Sequence, residues 1–356
     1  MIRSRDMSVF DRVKEEIREL YSVVPELVRL TREDVIENLD ERELKNAGRP
    51  FLVGTGAGYA AALASKTVFR DFTAWTGEYI TASTPIKFSS QLEDFEIGKE
   101  PRLITFNIDG SDGCQKAADR AVECGGSVIS LTVDGSDVSE GGEVFTCETG
   151  QDVCGAASYV RGLAMAIGYA EAEGLADGTL DEELIVVFDD QLEKTCQSLV
   201  EGLEGLSEYA LKAARDLKES DAEFFETIGT SWDYASAWMI RYMIYKFTGV
   251  VTTVEESEDY LHVNALTLDT KRFSTVVVNT VNNPAYDRTL STIRNVAGGK
   301  RFGIAVTDGL LQDYDSGLKA VFRLNCSKIN AFKPLFTHVP AELMFAAYKD
   351  LTEQEA

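Results

Sequence analysis

Two of the 356 residues are histidines, and one of them, His262, closes the segment Asp259-Tyr260-Leu261-His262. An imidazole that titrates near neutrality is a natural proton shuttle, and a nearby carboxylate orients it and raises its basicity. Glu255, Glu256 and Glu258 stand in the same stretch, and neighbouring carboxylates can divide acid and base roles between them. A lone histidine is as readily a packed or surface residue, so residue types alone leave the chemistry open. His338 lies just before the last helical stretch and is read as structural. A second group of residues could hold a ligand rather than transform it. Val53-Gly54-Thr55-Gly56-Ala57-Gly58-Tyr59 and Ile228-Gly229-Thr230-Ser231-Trp232-Asp233-Tyr234 both run from an apolar, strand-like segment through a Gly-Thr turn into a helix-like one. Their offset is constant, 229 − 54 = 175, and it persists to Phe72-Thr73 against Phe247-Thr248. One α/β unit therefore occurs twice.

The surrounding pattern supplies the elements that must position these turns. Residues 8 to 30 carry Phe10, Val13, Ile17, Leu20, Val23 and Val24 at helical spacing, which predicts a leading amphipathic helix. Short apolar runs follow at Phe51 to Val53, Tyr79 to Ala82, Leu103 to Ile108, Val128 to Val133 and Val144 to Cys147, alternating with helix-like segments. After long helical stretches from Ala156 to Glu173 and from Asp190 to Lys218, the order recurs. Runs stand at Phe224 to Ile228, Val250 to Val254, Thr275 to Val281, Phe302 to Val306 and Ala320 to Leu324, and a helix from Ala331 to Asp350 closes the chain. Strands alternating with helices form parallel sheets covered on both faces. The expected fold is α/β, two tandem flavodoxin-like doubly wound parallel sheets behind the leading helix. The expected divisions are 1–44 (helical segment), 45–200 (first domain) and 201–356 (second domain). In such sheets ligands sit at the carboxyl ends of strands, where helix amino termini present free N–H groups.

Bulk properties exclude several classes of function. A hydrophobic content of 44% is enough for two buried cores, no run of 18 apolar residues exists, and Met1 to Asp6 lead into no apolar leader segment, so a cytoplasmic protein is expected without membrane contact. The net charge of −24, with no cluster of five or more basic residues, argues against nucleic acid. It also repels phosphorylated metabolites at long range, so any phosphate site must work through local donors. Cysteines at 114, 124, 147, 154, 196 and 326 form no C-x-x-C pair, and no metal site is expected. The spacing of Gly54, Gly56 and Gly58 is G-x-G-x-G rather than the dinucleotide G-x-G-x-x-G, and no clear acidic ribose partner follows. No cofactor is expected.

Strand, Gly-Thr-(Gly/Ser), a Tyr a few residues on and an Ala-rich helix resembles the turn that opens each half of the SIS (sugar isomerase) phosphosugar-binding family. Ile80-Thr81-Ala82-Ser83 resembles that family's second strand with its Ala-Ser turn, and Pro340 to Tyr348 its last core helix; the resemblance spans roughly residues 45 to 350. It implies a double SIS protein and a small sugar derivative as ligand. The activity implied is aldose–ketose isomerisation or fructosamine 6-phosphate deglycation, in a homodimer or higher homo-oligomer. Gly54, Thr55, Gly56, Gly229, Thr230 and Ser231 would cradle the ligand. The family's Ser-x-Ser-Gly-Glu-Thr phosphate loop corresponds to Asn107-Ile108-Asp109-Gly110-Ser111-Asp112-Gly113, where Asp109 and Asp112 replace hydroxyls. Carboxylates beside a phosphate dianion are unfavourable. Asn107, Asp109 and Ser111 are therefore candidates either for an altered phosphate contact through Ser111 or for a neutral or cationic ligand, while Asp112 or Ser111 could instead simply cap the helix that begins near Gly113. The family's ring-opening histidine corresponds to His262, with Asp259 as its acid. The position of the family's general base, sixteen residues earlier, is occupied by Lys246. A lysine replaces a carboxylate base only if burial lowers its pKa; a helix-surface role, a Schiff-base role, or a displaced base at Glu258 or its neighbours stay open. The alternative is a catalytically degenerate sugar-binding or sensor protein.

Overall fold

The computed structural model describes residues 7–45, 48–107, 113–133, 142–148, 150–267, 269–314 and 317–353. One sheet contains β1 (Pro50–Gly54), β2 (Thr81–Ser83), β3 (Arg102–Asn107), β4 (Ser127–Val133) and β5 (Glu143–Cys147), all parallel, in the order β2-β1-β3-β4-β5. The other contains β6 (Phe224–Ile228), β7 (Thr252–Glu255), β8 (Phe273–Val278), β9 (Phe302–Thr307) and β10 (Ala320–Arg323), again all parallel. Its order, β7-β6-β8-β9-β10, is the same winding. This is the flavodoxin-like order, whose chain reverses direction beside the first strand of each sheet. The two doubly wound sheets expected from the sequence are present, and so is the leading helix, α1 (Val9–Asn38). Among the described residues no helix is long and apolar enough to cross a membrane.

The chain divides into two compact units, Val23–Lys194 and Met1–Ser22 with Thr195–Ala356. In the first, β1 leads through a turn into α3 (Gly56–Phe72), after the short α2 (Glu41–Lys45). β2 is followed by α4 (Pro85–Ser90) and α5 (Asp94–Ile97), and β3 is followed by α6 (Gly113–Glu123). After β5 comes α7 (Ala156–Asp177), an almost wholly buried helix that packs on α3. Phe51, Val53, Phe88, Leu103, Ala117, Ala121 and Val128 form the core between one sheet face and its helices. Continuous apolar runs are what strands covered on both faces require. At the sheet's amino edge the buried Arg102 makes a two-pronged pair with Glu173 of α7, whose second contact is 3.0 Å. This pair fixes α7 against β3 at the edge away from the expected ligand side.

The second unit takes in α1 up to Ser22 and α8 (Glu182–Lys218) from Thr195 onward, and repeats the plan. β6 leads into α9 (Trp232–Thr248), β7 into α10 (Ser257–His262) and β8 into α11 (Tyr286–Gly298), and α12 (Val339–Glu353) closes the chain. Ile228, Tyr260, Val277, Ile293, Val296 and Ala305 make its core. Asp350 of α12 caps the start of α1, accepting from the backbone N–H groups of Val9 (3.0 Å) and Phe10 (2.8 Å). Those are two of the amide donors a helix leaves unsatisfied at its amino end. The single closing helix expected from Ala331 is interrupted: a 3-10 turn spans Asn330–Leu335, and α12 starts only at Val339. Pro334 lacks the N–H that a continuous helix needs, whereas Pro340 fits the first turn of a new one. The break sets Lys333 at the carboxyl edge of the sheet.

Candidate functional site

Both Gly-Thr turns have the same construction. A Cβ on Gly54 would fall 2.5 Å from the carbonyl of Gly58, and one on Gly229 would fall 2.3 Å from the carbonyl oxygen of Asp233. The first helical turn therefore closes directly over the strand end, and no side chain fits there. The third position is left-handed in both halves, with φ +49° at Gly56 and +58° at Ser231. Glycine adopts this freely, while Ser231 holds it at a cost of about 1–2 kcal/mol. The hydroxyl of Thr230 accepts from the backbone N–H of Ser257 at 3.1 Å, which joins the turn to the head of α10.

Where the first half has Gly58, the second has Asp233, and this departure organises the site. Asp233 is buried, and its carboxylate accepts from the Thr280 N–H (2.9 Å), the Thr280 hydroxyl (2.7 Å) and the Asn283 side-chain amide (2.8 Å). Asn283 also donates to the Thr230 carbonyl at 2.8 Å, and the Trp232 indole donates to the Thr280 hydroxyl at 2.8 Å. The loop after β8 is thus pinned onto the turn after β6. Burial pushes the Asp233 carboxyl up to about 6, against the hydrogen bonds of Thr280 and Asn283 and the charge of Lys333, which pull it down.

Beside this cluster a cavity of about 470 Å³ opens at the carboxyl ends of β8, β9 and β10. Its wall includes Val281, Asn282, Asp308, Arg323, Ser327 and Lys333. Lys333, 1% exposed, pairs with Asp308 at 2.9 Å and donates to the Val281 carbonyl. Asp308 also accepts from the Val281 N–H at 2.6 Å. A further cavity of about 540 Å³ lies at the amino edge of the first sheet, lined by Glu43, Glu100 and Glu143 as well as Arg102. Its carboxylates and its edge are both wrong for a phosphate.

The remaining residues singled out from the sequence are distributed as follows. His262 ends α10, its side chain 70% exposed, with Nε2 2.8 Å from Glu258. Glu258 also pairs with Arg288, and these two partners hold its carboxyl below the usual range. Asp259 lies exposed one residue further, and its charge, after burial, helps push Glu255 up. Lys246 is apart from all of these. It occupies the last turn of α9, exposed, 5.4 Å from the Tyr242 ring centroid. Fourteen residues of helix separate it from Trp232, roughly 21 Å at the α-helical rise, toward the amino edge of the sheet. Asn107 ends β3 in the first half and is buried; its carbonyl accepts from Thr132 at 2.9 Å. Asp109 and Ser111 lie outside the described residues. Among the described residues no cluster of three or more potential ligating side chains is placed to hold a metal.

Asp233, Thr280, Asn283, Asp308 and Lys333 escaped sequence reasoning. The repeat register marks Asp233, since it stands opposite Gly58, but Lys333 carries no local signal.

His338, one residue before α12, is 1% exposed with Nδ1 3.4 Å from the Pro334 carbonyl. Burial pushes this imidazole down to about 4. The unfolded chain then binds the extra proton first, so its stabilising contribution is present above pH 6.5 and is lost as pH falls toward 4. Between pH 6.5 and 4.5 the loss should be about 2 kcal/mol, read by urea unfolding, and His338→Gln should remove it.

No family model and no curated protein matches this sequence. Solved structures do match along nearly the whole chain. The C-terminal domain of glucosamine-fructose-6-phosphate aminotransferase from Francisella tularensis is 13% identical, with a TM-score of 0.76, covering 94% of this chain and 95% of its own. Tagatose-6-phosphate ketose/aldose isomerase from Escherichia coli is 14% identical, with a TM-score of 0.65, over 95% and 93%. Glucosamine-6-phosphate deaminase from Thermotoga maritima is 12% identical, with a TM-score of 0.61, over 96% and 94%. The chain is similar to these in fold, and the two tandem doubly wound sheets expected from the sequence are borne out.

Proposed function

We propose that the chain binds a phosphorylated sugar or aminosugar at the carboxyl edge of its sheets and interconverts it as an aldose–ketose isomerase or fructosamine 6-phosphate deglycase. The observation that carries the reading is the 470 Å³ cavity at the ends of β8 to β10, whose wall includes Val281 and Asn282 of the loop that Asn283 ties to the Thr230 carbonyl. Its volume suits a ligand of hexose-phosphate size. The neighbours of this fold are named for sugar phosphates, which supports the same ligand class by analogy of fold. His262, held by Glu258, is the acid–base group of the proposal; it stands at the end of α10, outside the wall of this cavity. Lys246 takes no part in it. Six free cysteines agree with a reducing, cytoplasmic setting, and a homodimer or higher assembly belongs to the same proposal.

A second reading, a binding protein without turnover, is favoured by the position of Lys246 and by the exposure of His262. A thermal-shift panel combined with a turnover assay separates the two. Fructose 6-phosphate or glucosamine 6-phosphate at 100 times its Kd should stabilise the protein by about 2.7 kcal/mol, and free fructose much less. Absence of any shift with every sugar phosphate would remove both readings, whereas shift without turnover leaves the binding protein.

A further inference from the structure

We infer that the anionic group of the ligand is held in the second half of the chain, by Arg323 and Lys328 at the mouth of the cavity over Lys333. The two sheets define which loops correspond. Gly54 faces Phe106 across β1 and β3, and Ile228 faces Val277 across β6 and β8. Since Gly229 is the counterpart of Gly54, Asn279 is the counterpart of Asn107. The equivalent loops then carry opposite chemistry. The first, Asn107 to Gly113, contains two aspartates and no cation. The second, Asn279-Thr280-Val281-Asn282-Asn283, contains no charge and is fixed in place by Asp233.

The cavity beside the second loop adds three cations against one carboxylate. Asp308 is already neutralised by Lys333. Arg323 and Lys328 line the same cavity and are exposed, and neither makes an ion pair with the described residues. The wall therefore presents two uncompensated positive charges in a chain whose net charge is −24. Arginine suits a phosphate through its forked donors, and lysine adds a mobile point charge. A phosphate monoester is the ligand class these groups fit. Asn282, with φ +66°, and Ser327 offer further polar groups on the wall. Buried Lys333 sets the floor, tied to two loops at once, while the exposed pair is free to close on the anion.

On the reading of the chain as a sugar-phosphate binder, the test is titration calorimetry of the full chain with fructose 6-phosphate, inorganic phosphate and free fructose. The variant is Arg323→Ser with Lys328→Ser, two exposed positions whose loss should leave the melting temperature in place. Fructose 6-phosphate affinity should fall about tenfold for each cation removed, with free fructose unaffected. Wild-type affinity for fructose 6-phosphate in the double variant overturns the inference and leaves the sugar-phosphate reading intact. Loss of affinity on Ser111→Ala, with the double variant unaffected, also overturns it and returns the anion to the first half. Binding of inorganic phosphate alone, abolished in the double variant, upholds the anion site and sinks the sugar reading.

Discussion

His262→Ala should lower turnover of the accepted sugar phosphate by roughly 10²- to 10⁴-fold, the range expected for loss of a positioned general acid or base. Its melting temperature should stay within about 1 °C of wild type, because an exposed side chain contributes little to the core. The imidazole contacts Glu258 at 2.8 Å, and Glu258 keeps its pairing with Arg288 when the ring is gone. Structural and chemical roles therefore separate cleanly at this position. Glu258→Gln offers a graded version. The neutral amide can still reach the ring, so the hydrogen bond that orients it is weakened rather than lost and some activity should survive. A His262→Ala enzyme as active as wild type would remove His262 from the chemistry and leave the acid–base group to another residue.

Asp233→Ala should destabilise the protein by about 3 kcal/mol or more, the largest single loss expected from a side chain at this edge. Removing the carboxylate leaves the Thr280 N–H and the Asn283 amide without their buried acceptor, and it unpins the loop that bears Val281 and Asn282 on the cavity wall. Affinity for sugar phosphate should fall together with stability. Asp233→Asn keeps the shape and most of the contacts, so it should cost less and report on the charge. The folded carboxyl titrates at about 6 against 3.8 for an exposed one. A carboxyl raised in the folded state stabilises most when protonated, and that contribution is lost as pH rises from about 4 to 6. Between pH 4.5 and 7 wild type should lose about 2 kcal/mol that Asp233→Asn does not, measured by urea unfolding at the two pH values. A parallel pH dependence in the two proteins would contradict a buried, titrating Asp233. The sign is opposite to that of His338, so each variant identifies its own group.

The elements that were legible are those with a local cause. The run from Phe302 to Val306 matches β9 to within one residue because an interior parallel strand, buried on both faces, reads as an unbroken apolar run. Edge strands were displaced. Tyr79 was read into β2 but is 54% exposed, and β2 is only Thr81–Ser83. Val251 was read into β7 but is 76% exposed, and the strand begins at Thr252, after the left-handed Gly249 cap. An edge strand is paired on one side only, so exposed apolar residues beside it imitate its pattern. The expected strand from Thr275 to Val281 ends at Val278, because Asn279 onward turns toward Asp233. The site was harder. Asp233 meets Thr280 across 47 residues and Asn283 across 50, and no period in the sequence announces a contact of that range. The Gly-Thr turns were visible because each encodes its own backbone conformation. Lys333 stands in a stretch whose pattern continues a helix, and its tie to Asp308 joins positions too far apart in the chain for any local pattern to announce.

The paired turns at Gly54 and Gly229 also make the molecule its own reference. Both turns set their third residue at positive φ, one with glycine and one with Ser231. Exchanging the third residues, Gly56→Ser and Ser231→Gly, measures the conformational penalty of serine at each of the two turns within one chain. Equal and opposite changes in stability would mean that backbone conformation alone separates the two residues. A smaller gain on Ser231→Gly than the loss on Gly56→Ser would show that the second turn accommodates its serine better than the first.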